Sequence, residues 1–163
     1  MTMAIATREA VMNALLAKVA TVAQFAHVSR HIDLVPGAPT PTVATPPAQP
    51  ALYLFEDHES TANRGRGIPP VRTWFVELWV WAKNPTGTTP GVPDGITPGM
   101  SIINPLIEAI EGAFSRDNFI TNEFTLGGLV QYCQIAGTTV KISGDANPEG
   151  QCLAMIPVKI LVP

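Results

Sequence analysis

Residues 71–84, VRTWFVELWVWAKN, decide how this chain folds. All three tryptophans, Trp74, Trp79 and Trp81, fall within eight consecutive residues of it. A strand in a sheet with one wet face alternates apolar and polar side chains. Here Trp74, Val76, Leu78, Val80 and Ala82 share one side, and all are apolar. The other side carries Phe75, Glu77, Trp79, Trp81 and Lys83, and it is largely apolar too. One side therefore belongs to the core, and the second needs a cover of its own. A neighbouring subunit is the favoured cover, because interface centres are enriched in tryptophan. The N-terminal helix or a proline-rich loop folding back from the same chain is the alternative.

The bulk composition bounds the rest. With 163 residues, 46% of them apolar and 14% charged, the chain reads as one domain, 1–163, with enough apolar surface for a core. Disordered chains have the opposite balance. A net charge of −3 provides no basic footprint for wholesale nucleic-acid binding. No run approaches the roughly 18 uninterrupted apolar residues of a membrane span. The opening MTMAIATREAVMNALLAKVATVA interleaves Arg8, Glu9 and Lys18 at helical spacing, which marks a folded amphipathic helix rather than a secretion signal. Cys133 and Cys152 are too few for a disulfide framework, and a hairpin between the last strands holds them far apart. Free thiols and a reducing compartment follow.

Outward from the tryptophan strand, the elements order themselves. Thr7 caps a first helix whose apolar stripe is Ile5, Met12, Leu15, Leu16, Val19 and Val22. FAHVSRHIDL, 25–34, reads as a strand. VPGAPTPTVATPPAQP, 35–50, holds six prolines and admits neither helix nor central strand. ALYLFED, 51–57, is a short strand, with HESTANRGRGIPP, 58–70, as its polar connection to the tryptophan strand. A second open loop covers 85–99. Asn104 and Pro105 resemble the cap and first position of a second helix with Leu106, Ile107, Ile110, Ala113 and Phe114 inward. Strands over 129–143 and 152–162 close the chain, joined by a turn at Asp145, Asn147, Pro148 and Gly150. Pro157 places the last strand at an edge or a bulge. The expected fold is α+β: two helices on one face of a mostly antiparallel sheet of about five strands, with long Pro/Gly-rich loops at 35–50 and 85–99.

The search for chemistry yields little. His27, His31 and Asp33 would share one side of a strand, but three ligands without a fourth make a weak metal signal. Glu56, Asp57, His58 and Glu59 fall at a strand end, where a solvated loop is the default reading and acid–base catalysis the minor one. Neither cysteine sits in a nucleophile signature, and no Gly-x-Ser-x-Gly elbow is present. The glycines at 65–67 and 127–128 match turns, not a phosphate-cradling loop. Arg64, Arg66 and Arg72 suit a polar hairpin tip first and a phosphate or carboxylate contact second. No catalytic residue, metal or cofactor is assigned.

QPALYLFEDHE (49–59), FVELWVWAKNP (75–85), INPLIEAIEGAF (103–114), TLGGLVQYCQIAG (125–137) and AMIPVKILVP (154–163) come in an order that resembles the tail terminator, or tail completion, proteins of long-tailed bacteriophages. The resemblance covers residue 49 to the end, with a compatible helix before it. It implies a non-enzymatic virion protein of the tail neck, assembled in the host cytoplasm. Its hexameric ring would cap the tail tube, stop tube polymerisation and meet the head–tail connector protein, with DNA passing through the lumen without sequence readout. The long segments 35–50 and 85–99 depart from shorter relatives. In such a head-to-tail ring each subunit uses two different patches. Phe75, Trp79 and Trp81 are the expected subunit interface, and Arg64, Arg66, Asp94 and Ile96 the expected contacts with a second protein. A connector stopper, a tube protein, or a small-molecule or metal-binding enzyme are the rival readings.

Overall fold

The computed structural model describes residues 6–34, 36–39, 44–46, 48–68, 70–83, 99–118, 120–143 and 151–162. Asp94, Ile96, Ile5 and the expected turn at 145–150 lie outside them. Helix α1 (Arg8–Val19) starts at Thr7, whose hydroxyl accepts from the Ala10 amide at 3.2 Å, as the sequence predicts. Helix α2 runs Gly99–Ala113, so it begins more than a turn before the expected cap, with Pro105 inside it. An interior proline costs about 3 kcal/mol. Full burial of Ile103, with Met100 and Ile102 packed against the core, offsets a cost of that size.

The strands are β1 (His27–Ser29), β2 (Ala51–Ala62), β3 (Val71–Lys83), β4 (Tyr132–Ile135), β5 (Val140–Ile142) and β6 (Gln151–Val162). They form one sheet in the order β1-β2-β3-β6-β4, with β5 also on β6. β1 lies parallel to β2, and every other pair is antiparallel. The sheet is thus mixed and six-stranded, where a mostly antiparallel one of about five was expected. The parallel pair arises because the proline-rich connection returns the chain to the end of β1 where β1 itself began, so β2 restarts in the same direction.

Three strand boundaries also differ from expectation. β1 is three residues, not ten. β2 continues through HESTA because β3 is long enough to pair with it up to Ala62↔Val71, with a bulge between Glu56 and His58. The expected strand over 129–143 is split into β4 and β5. Pro157 explains the split. β6 is central, not an edge, and the Pro157 carbonyl accepts from Ala136 at 3.0 Å. A residue's N and O point to the same side of a strand, so the missing donor falls on the β4/β5 side, where the ladder breaks. Gly137 (φ 128°) approaches there so closely that a Cβ would lie 2.9 Å from Pro157 Cγ.

The core is one layer between the helices and the sheet. Val11, Met12, Leu15 and Val19 of α1 and Ile103, Leu106, Ile107 and Ile110 of α2 meet Trp74, Val76, Leu78, Val80 and Ala82 of β3. The even-numbered residues of β6, Cys152 to Val162, complete it. Register alternation makes this assignment unambiguous: shifting β3 by one residue would turn Glu77 and Lys83 inward. Both cysteines are buried, and the Cys152 thiol donates to the Ser143 carbonyl at 2.8 Å. Burial, then the charge of Asp117, pushes the Cys133 thiol up to about 12, which makes it unreactive at neutral pH.

Candidate interaction face

The sheet has a second face, and register specifies what stands on it. Paired residues share a side, so rows cross the strands: Tyr53–Trp79–Met155–Val140 and Ala51–Trp81–Leu153–Ile142. Further along come Phe55–Glu77–Pro157 and His58–Phe75–Lys159. Phe55 stacks on Trp79 with ring centroids 5.5 Å apart, and His58 stacks on Phe75 at 4.4 Å. The Trp79 indole donates to Glu77 Oε2 at 2.8 Å, which satisfies its polar tip. The Trp81 indole nitrogen is buried and has no acceptor among the described residues.

Phe75, Trp79 and Trp81, the face expected from sequence, therefore sit together, half-buried by one another and by their strand neighbours. The chain shelters one end of this face. Tyr53 is 3% exposed, its ring lies 5.5 Å from His27, and burial followed by the Asp33 charge pushes its hydroxyl up. Gln49 and Gln151 close the same end by a side-chain bond of 2.9 Å. Elsewhere on the face, Phe55 of β2 is 41% exposed, and across the sheet Val140 and Ile142 of β5 are 45% and 50% exposed. No helix or strand among the described residues crosses those positions. Sequence reading missed Phe55, Val140 and Ile142 because their place on this face depends on cross-strand register, not on periodicity within one segment.

The polar residues singled out from sequence resolve into ion pairs. Arg8 holds Glu59, and Arg30 bridges Glu9 at 2.6 Å and Glu56. The hydrogen bond from Arg8 keeps the Glu59 carboxyl below its ordinary value, and that from Arg30 does the same for Glu9. Asp57, at the bulge, contacts His58 Nδ1 at 2.6 Å. Arg8, Glu56, Asp57, His58 and Glu59 line a cleft of about 210 Å³ with Trp74 and Met12. With Glu56 and Glu59 each committed to an arginine, the cluster pins α1 and the end of β1 to the bulged strand. His31 turns to Asp33 at 3.0 Å while His27 faces Tyr53, so the two histidines do not converge. Among the described residues no group of three His, Cys, Asp or Glu could hold a metal ion.

Arg64 and Arg66 stand exposed on the β2–β3 turn, away from the indole rows. Asp117 was not singled out from sequence. Its carboxylate accepts from Thr125 N at 2.6 Å, Thr125 Oγ1 at 2.8 Å and Gly127 N at 2.7 Å, and so shapes the turn in which Leu126 takes a positive φ of 52°. Burial opposes ionisation there, but those bonds outweigh it and lower the carboxyl below its usual range. No helix among the described residues is long and apolar enough to cross a membrane. Neither family models nor curated proteins match the chain.

Proposed function

We propose that this chain is a self-assembling structural protein, a subunit of a ring built from identical copies. The observation that carries the proposal is the second sheet face, with its indole rows and the exposed Phe55, Val140 and Ile142. Three strands over about 30 Å and the three-residue β5, at about 4.8 Å spacing, outline about 500 Å², one end of it sheltered by the chain itself. Standard interfaces bury about 800 Å² per partner, so this face supplies about half of one. An apolar area of that size left wet invites non-specific association.

Within that reading, the ordered resemblance of residues 49–163 favours a phage tail terminator: a hexameric ring that ends tail-tube growth and presents a surface to the head–tail connector. Such a protein acts by contact, in the virion neck, and catalyses nothing. Two experiments test it. Native mass of the purified chain gives ring size, with a monomer at every concentration overturning self-assembly. Electron microscopy of the chain mixed with tail tubes then separates the related readings. A terminator decorates tube ends, a tube protein polymerises alone, and a connector stopper binds neither tube wall nor tube end.

A further inference from the structure

A closed head-to-tail ring requires two unlike patches per copy, and the sheet face provides only one. The β2–β3 turn has the properties of a second contact. Arg64 and Arg66 flank Gly65 (φ 120°), Gly67 follows at φ 82°, and the Ile68 amide donates to the Gly65 carbonyl at 3.3 Å. Both guanidinium groups are exposed and make no ion pair among the described residues, whereas Arg8 and Arg30 are both paired. Ile68 is 53% exposed beside them. Residues 60–72 carry three arginines and no acidic residue, in a chain of net charge −3. The tip is an apolar knob collared by unneutralised cations.

A complementary hollow lies on the far edge of the sheet. Between the end of α2, the turn at 122–124 and β4 is a cleft of about 290 Å³. Phe114, Phe124 and Ile135 give it apolar walls, the two phenyl rings meeting edge-on at 5.5 Å. Glu111, Glu123 and Arg116 also line it, and neither glutamate has an ion-pair partner among the described residues. The strand order β1-β2-β3-β6-β4 sets the hairpin and this cleft on either side of β6, near the same end of it, so they are two distinct patches, as a head-to-tail contact requires.

The geometry points to docking of the β2–β3 tip of one copy into this cleft of the next, with Ile68 against Phe114, Phe124 and Ile135 and with Arg64 and Arg66 opposite Glu111 and Glu123. This inference rests on the self-assembly reading and names its second contact. The exposed isoleucine favours a protein socket over a phosphate backbone, and so does the net negative charge of the chain, which repels a polyanion at long range.

Charge reversal tests the inference. The variant Arg64→Glu/Arg66→Glu should need at least tenfold more protein to assemble in sedimentation runs, with an unchanged near-UV spectrum. Adding Glu111→Arg/Glu123→Arg should restore assembly. As an independent check, Ile68→Cys with Glu123→Cys should cross-link neighbouring copies into a disulfide ladder on mild oxidation. Wild-type assembly by the tip variant, together with no ladder, overturns the docking and leaves self-assembly standing. A wild-type chain that never assembles overturns the parent reading instead. Loss of double-stranded DNA capture by the tip variant, with assembly intact, reassigns the tip to phosphate contact and also overturns the docking.

Discussion

Replacing Val140 and Ile142 by lysine is the most discriminating perturbation of the indole face. Both stand on it by register, opposite Met155 and Leu153, and they are 45% and 50% exposed. For residues of about 150 and 180 Å² this leaves some 160 Å² for a partner to cover, worth about 4 kcal/mol at about 25 cal/mol per Å². That is roughly a thousandfold in the assembly constant, before any cost of desolvating two ammonium groups. The fold itself should lose only about 1 kcal/mol, since β5 is a short edge strand and surface substitutions cost little. Sedimentation velocity over a concentration series reads the first quantity and urea unfolding of the dissociated chain reads the second. Assembly at wild-type concentrations with both lysines in place would refute the reasoning. So would a fall in unfolding free energy of several kcal/mol, which would mean that the face is already sealed inside one copy.

Three further outcomes follow from the same geometry. Trp79→Ala/Trp81→Ala should abolish assembly but also destabilise the single chain by about 3 kcal/mol or more per ring, because both indoles are already half-buried; urea titration of the dissociated form checks this. Asp117, whose folded carboxyl titrates below its unfolded value, contributes stability that is fully present above about pH 5 and is lost as pH falls through the folded value. Asp117→Asn should therefore flatten the acid limb of a stability–pH profile and cost about 1–2 kcal/mol at pH 7, a modest loss because solvent screens the exposed carboxylate. Gly137→Ala should cost about 1–3 kcal/mol in thermal or urea unfolding, since its Cβ would meet Pro157 Cγ at 2.9 Å in a backbone conformation of φ 128°.

Much of the architecture is legible in local pattern. The alternation in 71–83 assigns Trp74, Val76 and Leu78 to the core without any structure, and Thr7 announces α1 by its side-chain chemistry alone. The start of α2 is not legible, because the local preference of Asn104-Pro105 for a helix start yields to the burial of Ile103, which depends on the sheet. The length of β2 is hidden for a similar reason. HESTA has a polar, loop-like composition, and only its pairing with β3 makes it a strand. The roles of Glu56 and Glu59 were equally out of reach, since Arg30 and Arg8 lie 26 and 51 residues away in the chain.

Sequence by itself determined that this protein has a two-sided apolar strand at its centre, because side-chain alternation is a property of neighbours along the chain. Only the tertiary structure decided which residues share the second side, that Phe55, Val140 and Ile142 extend it, and that Pro157 can occupy a central strand. Those outcomes depend on strand order and register, which are set by hydrogen bonds between segments far apart in the chain and leave no periodic trace within any one of them.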